Sequence, residues 1–210
     1  MKRSQAALLS ILSLIIILLT GCDKKEKQEN PFAYTQEIND SNITEDLNHT
    51  SIGITQYLLT DMQGKQITLS IDRSNRILSE NNISQPVIIL NFFSPWSYPS
   101  KNQLPYLVDL QKKYPKDLRV IGIVLNPHDH AADQIEALLR ETGGDLLFIA
   151  TGKENNRFAK KITEPLHLPD FIPVPLTVIY HKGIYFRHYE GAVPIEMIDH
   201  DINTIIQEGA

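Results

Sequence analysis

Apolar and polar positions alternate along this chain in two distinct rhythms. Val87–Phe93, Leu118–Leu125, Leu146–Ala150 and Leu176–Tyr180 are nearly unbroken apolar runs of strand length, rich in β-branched and aromatic residues. Such runs fit strands covered on both faces. Between them the apolar positions recur at helical spacing. The first helix is predicted from Ser97 or Ser100 to Tyr114, with Leu104, Leu107, Val108 and Leu110 inward and Gln103, Asp109, Lys112 and Lys113 outward. Pro105 within it lacks an N–H and is expected to kink it. Further helices are predicted over Ala131–Thr142, with Ile135, Leu138 and Leu139 inward, over Asn155–Ile162, and over Pro194–Glu208, with Ile195, Ile198, Ile202 and Ile205 as its stripe. Strand, helix, strand, helix in this order implies parallel βαβ units with right-handed crossovers. The last strand runs through a tight turn, His181-Lys182-Gly183, into an antiparallel partner, Ile184–Tyr189. Upstream, Tyr57–Leu69 reads as a hairpin around Gly64, and the more polar Ile71–Gln85 as a short helix or loop.

The N-terminal part follows other rules. Lys2-Arg3 precedes an apolar run, Ala6–Leu19, of signal-sequence length and short for a membrane span. It ends in Leu18-Leu19-Thr20-Gly21-Cys22, which resembles the bacterial lipobox. That resemblance implies a leader over 1–21, a lipid anchor on Cys22 and an extracytoplasmic protein of the bacterial cell envelope. Residues 22–50 are polar and read as a flexible tether, with docking of Phe32, Tyr34 and Ile38 on the domain as the alternative. The folded domain is then 51–210. Its hydrophobic content of 42% and charged content of 21% suit a globular protein. The formal charge of −5 becomes −7 without the leader's two cations, and no Lys/Arg cluster follows, so nucleic acid is excluded as a partner. Cys22 is the one cysteine. If it is acylated, neither a free thiol nor a disulfide remains, and packing alone must hold the domain.

The stretch Asn91-Phe92-Phe93-Ser94-Pro95-Trp96-Ser97-Tyr98-Pro99-Ser100-Lys101-Asn102-Gln103-Leu104-Pro105 resembles the thioredoxin-type pattern N-F-W-A-x-W-C-x-x-C-x-x-x-x-P, with Ser97 and Ser100 where that pattern has cysteines. Leu59-Thr60-Asp61-Met62-Gln63-Gly64-Lys65 resembles the hairpin before the core in the membrane-tethered, TlpA-like branch. Val174-Pro175-Leu176-Thr177 is similar to the segment whose proline is cis and faces the cysteine pair. The resemblance implies an α/β thioredoxin-like fold, a central mixed sheet flanked by helices, with an N-terminal β-hairpin extension and a cis Pro175.

It also implies lost chemistry. The first thiolate of such a pair is stabilised at a helix N-terminus and attacks a disulfide, and the second resolves the mixed disulfide. Serine hydroxyls do neither. The reading of Ser97 and Ser100 is therefore structural, with Ser97 capping the helix through its oxygen. A serine hydrolase is unsupported, since no G-x-S-x-G elbow is present. His128-Asp129-His130 reads as a solvated turn, with Asp129 a candidate N-cap, rather than as metal ligands, and no cofactor is implied. Tyr180, Tyr185, Phe186 and Tyr189 read as sheet packing. What such a fold retains without thiols is its groove, which receives an extended peptide by strand addition beside the cis-proline. Trp96, Ser97, Tyr98, Pro99, Val174 and Pro175 are the expected groove residues. The expected function is redox-inactive binding of extended or unfolded exported polypeptides. An accessory role in envelope thiol–disulfide homeostasis or cytochrome c maturation, and a purely structural envelope role, are the alternatives.

Overall fold

The chain divides into Met1–Ala33 and Tyr34–Ala210. The structure, a computed structural model, describes residues 53–79, 83–126, 131–142, 147–169 and 171–208. The leader, Cys22, the tether and the His128-Asp129-His130 turn lie outside these residues.

The centre is strand β4, Val87–Phe93, buried along its whole length as its apolar run, broken only by Asn91, requires. It pairs in parallel with β5 (Leu118–Val124) and antiparallel with β7 (Leu176–His181). With β6 (Phe148–Ala150) and β8 (Ile184–Glu190), and with β1 to β3 named in chain order below, the five-stranded sheet runs β6-β5-β4-β7-β8. Alternation sends Val87, Ile89 and Phe93 to one face and Ile88, Leu90 and Phe92 to the other.

The first face packs against α1 (Tyr98–Lys113), α2 (Ala131–Thr142) and α4 (Ile195–Glu208), through Leu104, Leu107, Ile135, Ile198 and Ile202. Two successive right-handed crossovers in one direction place α1 and α2 on the same side. The second face is covered by α3 (Asn155–Thr163) and by a small antiparallel sheet of β1 (Thr55–Thr60), β2 (Gln66–Ile71) and β3 (Ile77–Ser79). Each large side chain buried here is worth about 1.5–3 kcal/mol relative to exposure.

Strand β3 corrects the sequence expectation of a helix or loop between Ile71 and Gln85. Three residues between polar flanks give no strand signal of their own. Pairing makes the strand: Leu69 with Ser79 and Ile71 with Ile77, and Ile77 N–H donating to Gly183 C=O at 2.8 Å. At the other end of the small sheet, Thr151 N–H donates to Thr60 C=O at 2.9 Å, beside an Asp61–Ala150 bridge. The small sheet is thereby tied to both ends of the large one.

The β7–β8 turn is made by Lys182 (φ 49°) and Gly183 (φ 79°), the two positive values that a type I′ hairpin requires. Helix α4 is held by polar contacts. Asp199 accepts from Lys113 Nζ at 2.7 Å and from Tyr114 OH at 2.9 Å, and Asp201 accepts from Tyr189 OH at 2.7 Å. Tyr180 and Tyr189 pack into the core as expected. Tyr185 packs edge-on against Tyr180 but stays partly open to solvent, and Phe186 stands exposed on β8.

Candidate functional site

The carboxyl end of β4 is where the chain leaves the sheet and turns into a helix. Ser97 N–H donates to Ser94 C=O at 3.0 Å, which folds Ser94–Ser97 into a turn, and α1 begins at Tyr98. On the other side of β4, Phe92 pairs with Leu176. Continuing that register by two positions sets Val174 opposite Ser94, so the segment before β7 lies beside the turn. The Val174–Pro175 peptide bond is cis. Pro175 C=O accepts from Gly191 N–H at 2.8 Å. Val174, between the turn and the strand, makes no backbone hydrogen bond among the described residues.

Beneath this surface lies a buried network of neutral groups. Asn91, on the α1 face of β4, donates from Nδ2 to Gln103 Oε1 at 3.2 Å and to Thr177 Oγ1 at 3.0 Å. One amide thus joins β4, α1 and β7. Ser94 Oγ, Ser100 Oγ and Gln103 Nε2 are buried and find no hydrogen-bond partner among the described residues. Above them, Tyr98 is 75% exposed, while Ser97 and Ser100 on either side are each 2% exposed. Trp96 is half-buried against the α1 core. Before β7, Phe171, Ile172, Pro173 and Val174 are half-buried, Ile172 and Val174 against the core on the other face of the sheet.

No protein-family model matches the chain. The thiol-disulfide oxidoreductase ResA of Oceanobacillus iheyensis is 32% identical over 75 residues, which is 35% of this chain and 38% of that protein's length. Among solved structures, a thiol:disulfide interchange protein of the thioredoxin family from Chlorobium tepidum superposes with a TM-score of 0.55 at 14% identity, over 71% of this chain and 92% of the other. A thioredoxin-like protein from Aeropyrum pernix gives 0.51 at 14% identity, over 71% and 89%. The fold is thioredoxin-like. At this identity the structural likeness is one of architecture, and chemistry has to be read from the residues.

A thioredoxin-like fold presents its reactive pair at the start of the helix after the central strand, and here that place holds Ser97 and Ser100. The expected side-chain cap does not form. Ser97 is the N-cap residue by position (φ −78°, ψ 120°), and its C=O accepts from Lys101 N–H at 3.0 Å, but its oxygen makes no capping bond. A reason is visible in the sequence: Pro99 occupies the second helical position, so one of the two N–H groups that a cap usually satisfies is missing. Nor is Gln103 outward, as the helical pattern suggested. It is buried, because Asn91 gives it a partner inside. Pro175 is also buried, so Val174 and the loop before it form the accessible rim.

Sequence reasoning missed Asn91, Gln103, Thr177 and Ser94. The available signal was Asn91 itself, a polar residue within an otherwise apolar central strand, which needs a buried partner. The buried polar groups of the site are all uncharged, so none of them can act as a base at neutral pH. Among the described residues no cluster of His, Cys, Asp and Glu could hold a metal ion, and no helix is long and apolar enough to cross a membrane.

Proposed function

We propose that this protein is a redox-inactive thioredoxin-like domain that holds extended segments of exported polypeptides. The lipobox-like leader supports placing it outside the cytoplasmic membrane of a bacterium, anchored through lipid on Cys22. The observation that carries the binding role is Val174. Among the described residues its backbone donor and acceptor make no hydrogen bond, beside cis-Pro175, and an added strand satisfies such groups. The burial of Ser97 and Ser100 argues against chemistry at their hydroxyls.

The chain's one tryptophan, Trp96, lies at this site and serves as reporter. Titration with an extended apolar peptide is expected to shift its emission saturably, and Tyr98→Ala to weaken binding. The same protein is expected to show no thiol-dependent turnover of insulin disulfides. Catalytic insulin reduction would end the redox-inactive reading. An unchanged Trp96 spectrum with all peptides would end the groove reading.

The similarity to ResA supports a second reading, an accessory to a competent thiol–disulfide oxidoreductase. In that case, adding this protein should change the rate at which such an enzyme reduces a misfolded, disulfide-bearing substrate.

A further inference from the structure

The two edges of the large sheet are treated differently. Strand β6 is covered by β1 through the Thr60–Thr151 and Asp61–Ala150 contacts. Strand β8 has no strand on its outer side among the described residues. Its second half is fastened to the domain by Tyr189, whose hydroxyl bonds to Asp201. Its first half is held only locally, Tyr185 standing edge-on to Tyr180 with its hydroxyl 2.7 Å from His188 Nδ1, and Ile184, Tyr185 and Phe186, three consecutive apolar residues, are 56%, 42% and 37% exposed. A strand with one face on a core buries every second residue. The irregularity opposite Ile179 and Tyr180 makes Phe186 an extra residue in the register, so both faces of the strand show apolar groups there.

Cations flank this apolar tip on a chain whose formal charge is −5. Lys182 is exposed in the turn. The Ile77–Gly183 hydrogen bond brings exposed Arg76, the residue before Ile77, to the same tip. Arg187 follows on the strand, paired with Asp201 at 3.1 Å and over the Phe186 ring at 5.8 Å. The nearest acid on the Arg76 loop, Asp72, already accepts from the Ser74 and Arg76 N–H groups at 2.8 and 2.9 Å. His181 and His188 are half-buried, and Glu190, at the far end of β8, lies 3.7 Å from His188.

The geometry points to the β7–β8 hairpin tip as a docking site for an anionic lipid surface. Tyr and Phe rings with an isoleucine occupy the headgroup boundary, and Lys182 and Arg76 reach the lipid phosphates. The tip lies at the end of the sheet opposite the Ser94–Ser97 turn, about 23 Å away along the seven residues of β4. Docking there turns the Val174 rim away from the bilayer. This inference does not rest on peptide binding at that rim.

Two full-length chains test it in vesicles of brominated phosphatidylcholine, with and without phosphatidylglycerol. One is the native chain, with its indole at Trp96 as the distal control. The other carries Trp96→Phe and Tyr185→Trp. Quenching is expected to be several-fold stronger for the indole at position 185, and only when phosphatidylglycerol is present. Adding Lys182→Asn and Arg76→Gln should lower the ratio of docked to undocked hairpin on the order of 25-fold, at about fivefold per cation. Asparagine tolerates the positive φ at position 182, so the turn survives. Equal quenching at both positions, or quenching indifferent to anionic lipid and to the two cations, overturns the inference. So does an emission shift at position 185 that grows with protein concentration in the absence of lipid, which would assign the patch to a second copy of the chain.

Discussion

Replacing Ser100 by alanine is expected to stabilise the protein. The Ser100 hydroxyl is buried at the third position of α1 and has no hydrogen-bond partner among the described residues. Leaving a hydroxyl in that condition costs about 1–3 kcal/mol. Alanine is also the better helix former by up to about 0.5 kcal/mol. Against this stands a void the size of one oxygen atom, about a few tenths of a kcal/mol. The balance is a gain of about 1–3 kcal/mol, or about 2–12 °C in Tm for a domain of this size. Thermal unfolding followed by circular dichroism measures it. Ser97→Ala is the companion variant. With no side-chain capping bond to lose, it should change little, where a true N-cap serine would cost about 1 kcal/mol. A fall in Tm for Ser100→Ala would refute the reasoning, because it would mean that the hydroxyl is satisfied and that the site keeps a polar task for it.

Asn91→Ala should cost about 2–4 kcal/mol in urea unfolding, since it strips the partner from both Gln103 and Thr177 in a buried site; a loss under about 1 kcal/mol contradicts the network. Gly183→Ala should destabilise by more than about 1–2 kcal/mol, because φ is 79° and the added carbon would run into the Ile77 carbonyl; an unchanged unfolding midpoint would show that the tie between β3 and the hairpin is loose. Burial raises the pKa of Asp199, but hydrogen bonds from Lys113 and Tyr114 prevail and hold it below its ordinary value of 3.8. Its folded value being depressed, the stability it adds is present above the unfolded value and is lost as pH falls through the folded one. Lys113→Met should therefore flatten the loss of stability below about pH 4, and an identical acid limb in both proteins would contradict this. Burial, and then the hydrogen bond to Asp201, push Tyr189 up to about 12, so the stability it contributes is complete below pH 10 and lost as pH rises towards that value; Tyr189→Phe should remove this alkaline loss, seen as a change in midpoint over the same range.

Much of the architecture was legible because it is written in local patterns. The six apolar residues of β4, the stripe Ile198, Ile202 and Ile205 on α4, and Lys182-Gly183 between two strands each specify their own element. What was illegible depended on distant partners. Strand β3 exists through β2 and Gly183. Gln103 looks like a surface residue until Asn91, twelve positions earlier, supplies its hydrogen bond. The exposure of Tyr185 and Phe186 could not be read from an apolar strand, because the extra residue in its register is a property of the pair with β7. The substitution of both cysteine positions was plain in the sequence. That the two hydroxyls are shut away from solvent was not, since burial is set by the packing of the turn and not by the residue type.

The ties at Thr60–Thr151 and Ile77–Gly183 bear on the order in which this chain becomes a protein. Synthesis delivers β1 to β3 first. Their apolar inner face, including Tyr57, Leu59 and Leu69, is covered only when the large sheet forms, and the tie from Ile77 waits for a turn over a hundred residues downstream. Contacts of such long sequence separation form late and slowly. The opening strands therefore spend the whole of elongation as a sticky, half-finished surface, and the last hairpin to emerge locks them down. A chain cut short before Gly183 would keep its first strands and lose that lock.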